Sequence, residues 1–254
     1  MPTPSSSSTK NSCNSLDFER PSTTVDVVMF AVRDGRLHVL LVKRADTPGE
    51  PFPGQWALPG GYIDVLKDED LEACALRKLK EKTGVVSPYL EQLGSWGSKT
   101  RDPRGWHSTH AYFALLPTAS VITPVSGANA SEADWIPIVG KGVSHKLAFD
   151  HQTILEAAVA RLRNKVEYTS LPAFLLPETF TLSELQTAFE TVLGRELDKS
   201  SFRKRVEDAE LVVALKNKFR EGSNRPAQIY KLRSKTAPVF FPRAIGDSKS
   251  RAAK

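Results

Sequence analysis

Between Leu58 and Val85 the chain reads LPGGYIDVLKDEDLEACALRKLKEKTGV: two adjacent glycines, an acidic stretch, then a helix-forming run that closes on Gly84. Positions 78, 81 and 82 are spaced i, i+3 and i+4, so one helical surface presents Lys78, Glu81 and Lys82 together. Carboxylates at that spacing would collect a divalent cation through hard oxygen ligands. Two ammonium groups there repel a cation, and can instead hold an anion such as a phosphate. The plain alternative is an ordinary solvated lysine face. Gly60 and Gly61 would let the backbone come close to such a ligand. The candidate anion-binding set is therefore Gly60, Gly61, Lys78, Glu81 and Lys82, with Arg44 upstream and Arg101 and Arg104 downstream. In RDPRGW the two arginines flank a turn and suit bidentate phosphate contacts, with Trp96 or Trp106 as a face for a base. A basic surface turn beside core tryptophans is the other reading.

These groups need a scaffold, and the pattern supplies one. From Thr24 to Lys43 two β-branched apolar runs meet at Asp34-Gly35, a hairpin signal. ADTPGEPFPGQW, rich in proline and glycine, is a loop. The helix of the lysine face is expected to begin near Asp68, with Glu69, Asp70 and Glu72 suiting its N-terminus, a buried stripe of Leu71, Ala75, Leu76 and Leu79 beside Cys74, and Gly84 as C-cap. A strand, a glycine-rich loop and a second strand from about Ser108 to Leu116 follow, then a polar loop over Thr118–Ala133 and a short edge strand over Ala133–Pro137. Ile154, Leu155, Ala158, Val159 and Leu162 mark a further helix. His145 and His151 have no third ligand at a recognisable spacing, so no metal site is expected.

Composition sets the wider frame. The chain has 254 residues, 40% of them hydrophobic, and no apolar run near the ~20 residues that cross a bilayer. The serine-rich start lacks the apolar core of a signal peptide. Two cysteines do not make a disulfide framework, which points to a cytoplasmic location. The net charge of +6 is uneven: residues 171–254 hold 16 Lys+Arg against 10 Asp+Glu and carry the whole excess. Such asymmetry points to a polyanionic partner for that third.

Its sequence agrees. Thr181-Leu-Ser-Glu184 is a capping box opening a helix with Leu182, Leu185, Phe189 and Val192 inward and Gly194 at its end. Asp198 can cap a second helix that buries Phe202, Val206 and Ala209 and exposes Lys199, Ser200, Ser201, Arg203, Lys204 and Arg205. A basic hairpin bearing Lys216, Lys218, Arg220 and Arg225 then forms a wing. Helix, turn, basic helix and wing describe a winged helix-turn-helix, with double-stranded DNA as partner. A helical docking module is the alternative. Lys199, Ser200, Ser201, Arg203, Lys204, Lys218, Arg220 and Arg225 are the candidate DNA contacts. The expected organisation is a disordered arm (1–20), a sensing domain with its connecting helix (21–165), a winged helix (166–236) and a basic flexible tail (237–254).

The first stretch resembles the Nudix box. That pattern carries glutamate at the positions of Lys78, Glu81 and Lys82, and five residues between glycine and first glutamate where this chain has seven, Tyr62–Asp68, before Glu69. Over Thr24–Leu232 the chain resembles the Nudix-related transcriptional regulators, the NrtR family, through WALPGGYID, RDPRGW, LAFDH and TLSELQTAFETVLGRELDKSSFRKRV. The resemblance implies an α/β/α Nudix sandwich with a mixed sheet joined to a small C-terminal winged helix. It implies a dimeric repressor of NAD metabolism genes on a palindromic operator, located on the bacterial nucleoid when bound. Its Nudix domain would sense ADP-ribose or a related nucleotide as effector, with no cofactor and no hydrolysis. The alternative is an active ADP-ribose pyrophosphatase using Glu69, Glu72 and Glu81, with the C-terminal unit for docking.

Overall fold

The structure, a computed structural model, describes residues 20–84, 89–117, 130–221, 226–235 and 237–241. The N-terminal arm apart from Arg20, most of the loop after Pro117, Arg225 and residues 242–254 therefore lie outside the described residues.

Asp34 and Gly35, with φ of 47° and 69°, turn β1 (Ser22–Arg33) into β2 (Arg36–Arg44) as an antiparallel pair. Positive φ at both central positions matches the twist of the strands it joins, which is why Asp-Gly works there. β1 lies parallel to β6 (Gly105–Leu115), and β5 (Tyr89–Asp102) forms the outer edge beyond it. Two short strands, β3 (Trp56–Ala57) on β2 and β4 (Gly60–Tyr62) on β1, and β7 (Ala130–Pro137) on β2, complete a seven-stranded mixed sheet. Alternation along β1 feeds both faces. Val25, Val27, Met29 and Ala31 pack with Cys74, Ala75 and Leu79 of α1 (Leu71–Thr83). Val28 and Phe30 pack with Ile154, Leu155 and Leu162 of α2 (His151–Val166). The result is an α/β/α sandwich.

Four local expectations are corrected. The helix α1 starts at Leu71, because Asp70 caps it by accepting the Ala73 N–H at 2.7 Å. Asp68 lies before it and points inward. Leu76 stays at the surface, and Cys74 takes the core position expected of it. The presumed glycine-rich loop before Ser108 is mostly strand: β5 and β6 form one long hairpin, in which Gly97 gives space to the Trp106 ring, 2.9 Å from where a Cβ would stand. β7 begins at Ala130, three positions early.

Beyond α2, a 3-10 turn at Leu171–Leu175 is wholly buried. Thr181 and Glu184 form the expected capping box on α3 (Leu182–Leu193), and Asp198 caps α4 (Lys199–Asp208). β9 (Val212–Arg220) and β10 (Ala227–Leu232) make the wing, joined by β8 (Phe180–Thr181) in the order β8-β10-β9. Leu185, Phe189, Phe202 and Val206 belong to the same buried cluster as Val28 and Leu155, so the two regions share a continuous core. The tail expected from 237 does not start there. Phe241 is buried against Phe189, and Val239 and Phe241 exchange backbone hydrogen bonds with Ser170 and Tyr168. Among the described residues no helix is long and apolar enough to cross a membrane.

Candidate functional site

A cleft of about 590 Å³ opens where β1, β4, the hairpin end of β5 and β6, and the start of α2 meet α1. Its floor is ionic and buried. Asp26 of β1 lies 3.7 Å from Arg101 and 3.6 Å from His151, and Arg101 is clamped by Asp150 through Nη2–Oδ1 at 2.8 Å and Nε–Oδ2 at 3.0 Å. The Leu58 N–H donates to His151 Nδ1 at 2.9 Å, which leaves Nε2 to carry the proton toward Asp26. Burial pushes the imidazole below its ordinary value and keeps it neutral. Gly60 is required by this floor: a Cβ there would stand 2.0 Å from Asp26 Oδ1.

The wall facing the floor comes from α1 and the loop before it. Arg77 and Lys78 line the cleft with Ile63, Val65 and Leu66. Lys78 is largely sheltered, its side chain 14% exposed, and its Nζ would be only 3.0 Å from a Cβ on Gly61. Gly61, with φ of 148°, thus leaves room for the ammonium group. At the mouth, Arg104 lies over the Tyr62 ring, 5.9 Å to its centroid, and Tyr62 Oη is 3.4 Å from His107 Nε2. Arg44 lies over Phe149 at 5.0 Å and binds Glu50 and the Pro51 carbonyl.

Of the anion-binding candidates, Arg44, Gly61, Lys78, Arg101 and Arg104 line this cleft. Gly60, Glu81 and Lys82 do not. Glu81 turns to Arg77 at 3.0 Å, and Lys82 sits half-buried elsewhere, where burial lowers its pKa. The two loop arginines are less free than RDPRGW suggests: Arg104 is forked on Asp102 as Arg101 is on Asp150. Trp106 is half-exposed beside Arg20 in an adjoining groove, and Trp96 packs against the core. Sequence reasoning missed Asp26, Tyr62, His107 and Phe149. Tyr62 beside the double glycine and Phe149 in LAFDH were visible as aromatics, but only the fold shows that they face one opening. Glu69 and Glu72 are exposed and do not line the cleft, and among the described residues no three His, Cys, Asp or Glu side chains could hold a metal together.

On the C-terminal unit, Lys199, Ser200, Ser201, Arg203 and Lys204 are exposed along α4, and Lys204 reaches Asp208 at 3.2 Å. Arg205 does not share that face. It lies over Phe241 at 5.4 Å, half-buried. On the wing Lys218 is exposed, whereas Arg220 is ion-paired with Glu184 of α3. Arg220 is the last residue of strand β9.

Comparison with known proteins follows the same division. Residues 22–157 match the NUDIX domain and residues 172–232 match the NrtR DNA-binding winged helix domain. The ADPR responsive transcriptional repressor NtrR of Acinetobacter baylyi is 42% identical over 229 residues, 90% of this chain and 89% of that protein. The crystal structure of Shewanella oneidensis NrtR complexed with a 27mer DNA is similar at a TM-score of 0.79 and 41% identity, over 88% of this chain and 99% of that one. The NUDIX domain of the same Shewanella protein complexed with ADP ribose is similar at a TM-score of 0.51 and 44% identity, over 57% of this chain and 90% of that one.

Proposed function

Because the chain belongs to the NrtR family, we propose that it is a DNA-binding transcriptional repressor that takes ADP-ribose as effector in its Nudix cleft and does not hydrolyse it. The observation that carries the reading is Lys78. Where the box helix meets the double glycine, the cleft presents a sheltered ammonium group in place of a metal-binding carboxylate. A diphosphate meets there the charge it needs for binding and none of the chemistry it needs for attack by water. Lys78 and Arg101 grip the phosphates, with Arg44 and Arg104 at the mouth, and Tyr62 offers its ring to a base. The C-terminal winged helix reads DNA through the exposed face of α4, with Lys218 on the wing against the backbone. The acting form is a homodimer on a two-fold operator, since one α4 per protomer reads one half-site. Its genes are those of NAD metabolism, and its place is the cytoplasm.

The effector shifts DNA affinity only by its own preference between two protein states, usually about 1–3 kcal/mol, or roughly 5–150-fold. The test follows a labelled duplex, selected from a random pool by the full-length protein, by fluorescence anisotropy. Saturating ADP-ribose is expected to weaken binding within that range; an unchanged Kd overturns the switch. Magnesium-dependent consumption of ADP-ribose at ~1–10³ per second, an ordinary enzymatic rate, overturns the non-hydrolytic part.

A further inference from the structure

Among the described residues, three of the four α-helices start on a side-chain cap. Asp70 (φ −150°, ψ −176°), Thr181 (−95°, 160°) and Asp198 (−63°, 123°) are extended, and each accepts a backbone N–H from the first turn. α2 is the exception. Asp150 occupies its N-cap at φ −98° and ψ 19° and makes no cap bond with its side chain. Its carboxylate is diverted to the fork of Arg101. Phe149, just before it, lines the cleft at φ 54°, a left-handed conformation that a bulky residue keeps only when its surroundings hold it there. Thr153 N–H reaches the Asp150 carbonyl at 3.0 Å, but Gln152 N–H has no acceptor among the described residues. The helix that leaves the cleft therefore begins uncapped, on a strained turn, tied down by one arginine.

The other end of that helix is on the DNA-binding side. Arg163 Nε donates to the Val192 carbonyl of α3 at 3.2 Å, and Leu162 shares a core with Leu185 and Phe189. A change at the start of α2 thus reaches α3, against which α4 packs through Phe189 and Phe202.

We propose that Asp150 is a two-position latch: it holds Arg101 in the unliganded protein, and moves to cap α2 when a phosphate of ADP-ribose takes the guanidinium. A phosphate offers the same two-oxygen geometry as a carboxylate with more charge, and Arg101 lines the cleft where the phosphate arrives. The released carboxylate then finds the open N–H of Gln152, and Phe149 can leave the left-handed region. The latch rests on the ADP-ribose reading above and supplies its route to the DNA.

Hydrogen exchange by mass spectrometry on the full-length protein, with calorimetry of ADP-ribose binding alongside, tests it. In the wild type, saturating ADP-ribose is expected to slow exchange in the first turn of α2 by about fivefold or more, as a newly capped turn should. Asp150→Asn keeps an oxygen that caps a helix but no charge to hold Arg101. It should show slow exchange without ligand, still bind ADP-ribose, and lose most of the ADP-ribose effect on DNA. Asp150→Ala should gain no protection in either state; should it fail to fold, the wild type and the asparagine variant decide the matter. If calorimetry shows binding but first-turn exchange in the wild type does not move, or Asp150→Asn responds like the wild type, the latch is wrong and the effector reading stands. Absence of any ADP-ribose binding overturns both.

Discussion

Arg77 closes its guanidinium fork on Asp68, with Nε 2.6 Å from Oδ1 and Nη2 2.5 Å from Oδ2. Asp68 Oδ2 also accepts the Asp64 N–H at 2.8 Å, so this carboxylate, only 1% exposed, ties the loop after the double glycine to the face of α1. Glu69, next along the chain, is exposed. The longer spacing after Gly61 is thus absorbed by a compact turn, and the acid that meets the box arginine is Asp68.

Losing that pair should be costly. Arg77 keeps Glu81 as a partner, so the loss is that of charge-assisted hydrogen bonds, and Asp68→Ala is expected to lower the unfolding free energy by about 1.5–3 kcal/mol. The Arg77 hydrogen bonds hold the Asp68 carboxyl well below the usual carboxylate range. A depressed folded pKa gives stability that is complete above the unfolded value of about 3.9 and is lost as pH falls below it. Urea titrations of wild type and variant at pH 7 and pH 3 should therefore show a gap that narrows in acid. A gap of constant size would remove Asp68 from this role.

Most of the scaffold could be read from local chemistry. Asp34-Gly35, Gly84 and Thr181-Glu184 each fix a turn or a helix end through backbone geometry that few residues satisfy, and all three act as their types require. The cleft could be read only in part. Lys78 and Lys82 are equivalent by helical spacing, yet Lys78 lines the cleft and Lys82 does not, because the face a helix turns to its sheet depends on packing by Cys74, Ala75 and Leu79. Arg101 and Asp150 stand 49 residues apart, and no local pattern announces that the one will take the other's fork.

That asymmetry between the lysines gives a second test. Charge-assisted hydrogen bonds are worth about 1.5–3 kcal/mol, so Lys78→Ala is expected to weaken ADP-ribose binding roughly 10- to 100-fold. Lys82→Ala should change it little. Isothermal titration calorimetry at fixed salt measures both; equal losses would mean that the ligand lies along the outer face of α1.

His151 should leave a mark on the pH dependence of stability. Burial holds its folded pKa below the ordinary 6.5, so the unfolded chain takes the proton first as pH falls. Between those two values the unfolded state binds more protons, and stability drops with falling pH by up to about 1.4 kcal/mol per unit. His151→Gln cannot titrate. The difference in unfolding free energy between the two proteins should therefore change with pH below 6.5 and level off above it; a flat difference across pH 5–8 would contradict a buried neutral imidazole.

The wing carries the last expectation. Arg220 pairs with Glu184 of the α3 capping box, both side chains 40% exposed or more, so a phosphate has to take the arginine from a carboxylate. Each phosphate contact steepens the dependence of log Kobs on log salt by about 0.9. Glu184→Gln keeps a side chain that can serve the capping box, releases the arginine and removes a negative charge near the DNA face. It should tighten binding to the selected duplex at low salt and steepen the slope by about one contact. Arg220→Ala, which removes a group already occupied, should leave the slope nearly as it is. Were Glu184→Gln to leave both affinity and slope unchanged, Arg220 would belong to the internal structure of the winged helix and not to its contact with DNA.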